Sequence, residues 1–247
     1  MKSVYRWTSR ILVVFTIFFL SSANSVALAA SPHSHTAPNI RLRHGTSSNW
    51  SGYAAYGSNG NFNSVSATWT QPAVQCNSQS TYSSYWVGLD GYNNSTVEQL
   101  GTEGDCSGGN ASYYAWYEMY PHPGYYANIT VHAGDVFNAS VTYRNGGQYT
   151  LTLTDVSTGK AFSTTQRMSQ AKRASAEVVV EAPWSGGTLP LANFGTAGFT
   201  NSLANNQPLG GFSSLDPITM LNPYGMKATP SGFDTTKKNF SISWSAN

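Results

Sequence analysis

An all-β domain, a sandwich or jelly roll of short antiparallel strands, is what this sequence predicts, and three observations carry that reading. Charged residues make up only 10% of the 247-residue chain, while Ser, Thr, Asn, Gly and aromatic residues abound; such a composition favours strands and turns over helices. Aromatic and β-branched runs alternate with clusters of Gly, Asn, Asp and Pro, the punctuation of a strand-and-turn chain. No span sustains the period of an amphipathic helix, and no repeat or linker divides the chain, so one domain is expected.

The elements follow in order. Asn49–Gly57 and Val65–Thr70 are strand-like runs joined by the turn-rich stretch GSNGNFN. Tyr85–Leu89 and Tyr113–Tyr120 are aromatic-rich and bounded by turn residues, and the PHPG cluster after them is a loop. Asn128–His132, Val136–Arg144 and Tyr149–Val156 are separated by AGD and NGG, and Asn145-Gly146-Gly147 is a hairpin turn. Asp155–Lys160 turns the chain into Ala161–Gln166. Val178–Glu181 is a strand stopped by Pro183. Leu191–Thr200, Ile218–Asn222 and Asn239–Ser245 supply the last strands. Many short antiparallel strands at this spacing make a sandwich or jelly roll.

Residues 1–30 read as a secretory signal peptide. Lys2, Arg6 and Arg10 form a positive start, Ile11–Leu20 an apolar stretch, and Ala27-Leu28-Ala29 a small-x-small cleavage pattern. Ten mostly apolar residues are too few to span a bilayer, so no membrane association is expected after processing and the chain is expected outside the cell. Residues 31–48, with His33, His35, Arg41, Arg43 and His44 among Ser, Thr and Pro, read as a disordered leader or short pro-segment. The domain then spans 49–247. Without Lys2, Arg6 and Arg10 the balance is 10 basic against 11 acidic residues, so the formal charge of +2 belongs to the targeting segment. No Lys/Arg cluster suggests a nucleic-acid partner, and a monomer is expected.

Cys76 and Cys106 are the two cysteines. An even count in an exported chain predicts one disulfide, closing a loop worth about 3–4 kcal/mol. There is no CxxC and no HxxxH pattern, so no metal is expected.

Alternate residues of a strand share a face, and this rule assembles a candidate site. Trp116, Glu118 and Tyr120 project together, a carboxylate framed by rings. Gln99 shares a face with Val97, whereas Glu98 and Leu100 point the other way. In Ser175–Trp184, Glu177, Val179 and Glu181 share one face and Val178 and Val180 the other, so one or both glutamates can reach the face of Gln99 and Glu118. Periodicity alone does not choose between Glu177 and Glu181.

The segments NWSGYAAYG (49–57), VSATWTQPAV (65–74), YWVGLDG (85–91), VEQLGTEGDC (97–106), YYAWYEMYP (113–121) and SAEVVVEAP (175–183) together resemble the glutamic peptidases, or eqolisins. Six segments in the family's order cover essentially the whole domain from Asn49 onward. The resemblance implies a two-sheet, lectin-like β-sandwich with its site on a concave sheet face. It also implies a catalytic dyad at Gln99 and Glu181, and no cofactor. Trp86, Asp90 and Glu118 match positions near the dyad; with Trp116 they are assigned substrate-binding or orienting roles, turn chemistry in LDGY being the alternative for Asp90.

The chemistry agrees by elimination. Within 49–247 the histidines are His122 and His132, and neither GxSxG nor HExxH occurs, so serine, cysteine and zinc hydrolases lose their usual signatures. A carboxylate can activate water while an amide N–H stabilises the oxyanion. The expected function is an acid-acting endopeptidase with a polypeptide substrate. A lectin-like carbohydrate-binding sandwich and a two-carboxylate glycosidase using Glu118 and Glu181 are the alternatives.

Overall fold

The structure, a computed structural model, describes residues 45–247. The signal-peptide reading of 1–30 and most of the leader reading of 31–48 lie outside the described residues. The last four residues of that leader segment belong to the fold instead. Thr46 and Ser47 pair in parallel with Thr219 and Met220, and the Gly45 N–H donates to Asp216 at 2.9 Å. Backbone pairing, which a polar composition does not reveal, orders them.

Sixteen strands are described. The first eight are β1 (Thr46–Ser47), β2 (Trp50–Tyr56), β3 (Ser64–Thr70), β4 (Thr81–Leu89), β5 (Val97–Ser107), β6 (Asn110–Tyr120), β7 (Tyr125–Ala127) and β8 (Val136–Arg144). The second eight are β9 (Gln148–Asp155), β10 (Lys160–Arg167), β11 (Ser175–Glu181), β12 (Thr196–Ala204), β13 (Gln207–Pro208), β14 (Leu215–Asn222), β15 (Gly225–Pro230) and β16 (Phe240–Trp244). No helix of the described residues is long and apolar enough to cross a membrane.

The fold is the expected antiparallel sandwich. One sheet runs β14-β2-β11-β4-β5-β6-β7 and the other β10-β9-β8-β3-β12-β16-β15-β14, so β14 joins the two into one curling ladder. Except for β1 on β14, every ladder is antiparallel. Between the sheets lies the main core. Tyr85, Val87, Leu100, Val178 and Val180 from the first sheet meet Trp69, Phe137, Leu151, Phe199 and Ile242 from the second, all buried. Burying side chains of this size is the dominant favourable contribution to folding. The Trp69 indole N–H also donates across the gap to Thr102 Oγ1 at 2.9 Å.

β4, β6, β11 and β14 begin three or four residues before the expected starts, β5 and β15 are not among the expected elements, and two expected strands are displaced or shortened. The strand expected at Asn128–His132 lies earlier, at Tyr125–Ala127, because the chain turns at once, with Ile129 N–H donating to Ala127 O. Leu191 and Asn193 form only isolated bridges, and Gly195, at φ 63°, separates them from β12, which begins at Thr196. The expected disulfide is present: Cys76 and Cys106 are bonded, tying the loop after β3 to the end of β5.

Candidate active site

The first sheet has a second apolar layer, on the face turned away from the main core. Trp50, Ala54, Trp86, Val97, Trp116, Val179 and Ile218 form it. On β2, β4, β5, β6 and β11 these positions have the parity opposite to the main-core residues of the same strand, which is why β5 and β11 carry buried residues on both faces. Gln99, Glu118 and Glu181 have the same parity as this layer, and all three are buried within it.

Register fixes their neighbours. Gln99 on β5 stands opposite Gly88 on β4 and Glu118 on β6. Glu181, at the end of β11, stands opposite Ser84 on β4 and Trp50 on β2. Trp86 lies between these two rows, opposite Val179 and Gly101. Its ring spans the space between them. At one end the indole N–H donates to Glu181 Oε2 at 2.9 Å. At the other, Cζ3 lies so close over Gly88 that a Cβ there would be 2.8 Å from it and 3.2 Å from Gln99 Cβ. Gly101 makes room in the same way, since a Cβ on it would be 2.6 Å from Trp86 Cβ. Trp50 packs edge-on against Trp86 with ring centroids 5.0 Å apart.

Each functional group is oriented by a partner. The second oxygen of Glu181, Oε1, accepts from Asn49 Nδ2 at 2.9 Å. Asn49 is itself held by Ser47, whose hydroxyl donates to Asn49 Oδ1 and accepts the backbone N–H groups of Asn49 and Trp50. Gln99 Nε2 donates to Glu118 Oε2 at 2.6 Å. With Glu118 Oε2 as acceptor, the amide presents its Nε2 end to Glu118 and has a second Nε2 hydrogen for another acceptor.

Burial, followed by the neighbouring charge of Glu118, holds the Glu181 carboxyl well above the usual carboxylate range, while hydrogen bonds from Trp86, Trp50 and Asn49 oppose the shift. The row through Glu181 and Ser84 continues to Glu103 and Tyr114. The Ser84 hydroxyl donates to Glu103. Burial and then Asp105 raise the pKa of Glu103; burial also pushes Asp105 up to about 7.

The sequence reading did not single out Asn49, Trp50, Ser84, Glu103 or Asp105. Alternation along β5 was the available signal for the two acids, since residues 99, 101, 103 and 105 share a face. Trp116 lies on the site face beside Glu118. Asp90 is directed elsewhere. At φ 70° it occupies the left-handed region of a turn. Its carboxylate accepts the backbone N–H groups of Lys172, Arg173 and Ala174 at 2.7–2.8 Å and Asn94 Nδ2 at 2.7 Å. Those four donors make it the organiser of the loop before β11. Glu177, the other glutamate of β11, has surroundings unlike those of Glu181: burial, then Asp90 and Glu98, raise its pKa. Among the described residues no cluster of His, Cys, Asp and Glu is arranged to hold a metal ion.

The sequence profile of the Peptidase A4 family matches residues 48–231 of the chain. The chain belongs to that family. Among curated relatives, Aspergillopepsin-2 of Aspergillus niger is 29% identical over 185 residues, covering 65% of each chain. Scytalidopepsin B of Scytalidium lignicola is 35% identical over 140 residues, covering 54% of this chain and 51% of the relative. The chain thus spans less than two thirds of either curated relative. The fold of the A4 chain is similar to that of scytalido-glutamic peptidase crystallised with a transition state analog inhibitor. That likeness has a TM-score of 0.68 and 26% identity, over 80% of this chain and 98% of that one. A second similar structure is SCP-B, a member of the eqolisin family, in complex with the tripeptide Ala-Ile-His. Its TM-score is 0.65 at 25% identity, over 80% of this chain and 98% of that one.

Proposed function

We propose that the chain is an endopeptidase in which Glu181 activates water and Gln99 stabilises the oxyanion. The observation that supports this most is the shared face: one carboxylate and one amide, two strands apart, lie at the two ends of a single indole, each already oriented by a hydrogen bond. Glu181 takes a proton from water as the water oxygen attacks the scissile carbonyl carbon, and the carbonyl π electrons move onto oxygen. The free Nε2 hydrogen of Gln99 donates to that oxygen. When the tetrahedral intermediate collapses, the C–N bond breaks and the proton on Glu181 passes to the leaving amine, which restores the carboxylate. Trp86 and Asn49 hold the base, Glu118 holds the amide, and Trp116 with Trp50 gives the substrate an apolar wall.

The pH range follows from the same groups. Glu181 must be ionised to act as base, and its raised pKa places the acidic limb of the rate above the ordinary carboxylate range. Buried carboxyls that favour their neutral form make the fold less stable as pH rises toward 7. A weakly acid working range satisfies both constraints. Export from the cell is the compartment that suits the targeting pattern of residues 1–30 together with the Cys76–Cys106 bond.

Incubating the purified protein with denatured globin and with soluble glycans across pH 2–7 tests this reading. Globin fragments with intact glycans are the expected outcome. Glycan cleavage, or glycan binding without proteolysis, would favour the sandwich alternatives.

A further inference from the structure

We propose that Lys227 and the pocket it lines form a carboxylate-binding subsite for the polypeptide substrate, beside the Glu181 end of the active site. The proposal rests on the peptidase reading above for its choice of ligand. Lys227 occupies a β-bulge: the register between β14 and β15 steps from Met220 opposite Ala228 to Leu221 opposite Met226, leaving Lys227 with no partner across the ladder. Bulges of this kind re-aim a side chain and recur next to functional sites. Here the result is a lysine only 4% exposed, on the wall of a pocket of about 350 Å³ whose lining includes Ser48, Thr188, Leu189, Asn222 and Asn247.

The pocket supplies hydroxyls and the amides of Asn222 and Asn247, the first donating to the Asn247 carbonyl at 3.1 Å, but the described residues give Lys227 no carboxylate within salt-bridge distance. Burial lowers its pKa to about 8, so in the weakly acid range it still carries its charge. An ammonium held largely out of water at a pocket wall without a counter-charge is costly, and an entering carboxylate, ionised above about pH 4, would reduce that cost. Two links tie the pocket to the end of β11 that carries Glu181. Ser48 precedes Asn49, which donates to Glu181. Leu189 donates its N–H to the carbonyl of Pro183, two residues beyond Glu181.

The test uses full-length protein carrying Glu181→Gln, so that peptides bind without being consumed. Its lysines are ¹³C-dimethylated and observed by NMR at about pH 5.5, and the Lys227 signal is assigned by its loss in Lys227→Arg. Four N-acetylated peptides of one length are added: one with a free C-terminal carboxylate, its C-terminal amide, and amidated versions with an internal Glu or Gln. The Lys227 signal is expected to shift with the free-carboxylate peptide or the Glu peptide and not with the matching neutral one; which of the two acts identifies the source of the carboxylate. Equal shifts with neutral peptides, or no shift with any, would overturn the proposal. As an independent check, Lys227→Met is expected to raise the melting temperature by about 2–4 °C, the size of a 1 kcal/mol gain in a domain of this length. A lowered value would show that the ammonium is satisfied inside the protein, and would overturn it as well. Neither readout uses catalysis. Failure of the peptidase reading would appear separately, as wild-type protein that leaves every peptide intact.

Discussion

Trp86 donates its indole N–H to Glu181 at 2.9 Å, and the far edge of the same ring lies over Gly88, beside Gln99. One side chain therefore sets both the state of the proposed base and its position relative to the amide. Replacing Trp86 with Phe removes a donor that favours the ionised carboxylate, so the pKa of Glu181 rises further and the acidic limb of kcat/KM moves to higher pH. Glu118→Gln removes a neighbouring negative charge and moves that limb to lower pH. Losing one hydrogen bond to a charged group, worth about 1.5–3 kcal/mol, should also lower kcat of Trp86→Phe by about 10- to 100-fold. A pH–rate profile of the two variants beside the wild type checks both directions.

The glycines under the ring are required by close approach. A Cβ on Gly88 would be 2.8 Å from the edge of Trp86, and one on Gly101 would be 2.1 Å from the carbonyl oxygen of Tyr85. Gly88→Ala displaces a side chain and should cost about 1–3 kcal/mol, as overpacked cores do. Gly101→Ala must displace backbone and should cost more. Thermal melting of the two variants is expected to rank them in that order.

Stability should fall as pH rises from about 4 to 7. Glu98, Glu103 and Glu177 are buried with pKa values raised chiefly by that burial, and Asp105 is pushed up to about 7. A carboxyl whose folded pKa exceeds its unfolded one binds its proton more tightly in the folded chain. Its stabilisation is complete below the unfolded value and is lost as pH rises through the folded value. Asp155, which is buried, and the exposed Asp234 have lowered pKa values and act in the opposite sense, but their contribution is lost only as pH falls below the ordinary carboxylate range, outside this window. Calorimetry is expected to give a higher melting temperature at pH 4 than at pH 7, with a smaller difference in Asp105→Asn.

Gln99→Ala should leave substrate binding largely intact and lower kcat by about 10²–10³-fold, the usual effect of removing one oxyanion donor. Steady-state kinetics that show a raised KM with unchanged kcat would assign the amide to ground-state binding instead.

Strand parity made much of this site legible in the sequence. It put Trp116, Glu118 and Tyr120 on one face and separated Gln99 from Glu98, and the structure has that arrangement. What it could not supply was the reach of side chains across strands. Glu177 and Glu181 are equivalent by parity, and only the three-dimensional neighbours distinguish them: indole and amide donors around one, Asp90 and Glu98 near the other. Asn49 was hidden for the same reason, because it precedes β2 and its role depends on a partner 132 residues away. Asp90 shows the converse. Its position next to Gly91 signalled a turn, and its carboxylate is engaged by the loop before β11, far along the chain.

The most direct test is kcat/KM of purified Glu181→Gln on a peptide substrate at weakly acid pH, with its melting temperature recorded alongside. A loss of about 10²–10⁴-fold, the contribution of a general base, with an unchanged fold is the expected result. A folded Glu181→Gln protein that cleaves at the wild-type rate would contradict the assignment of Glu181 as the base.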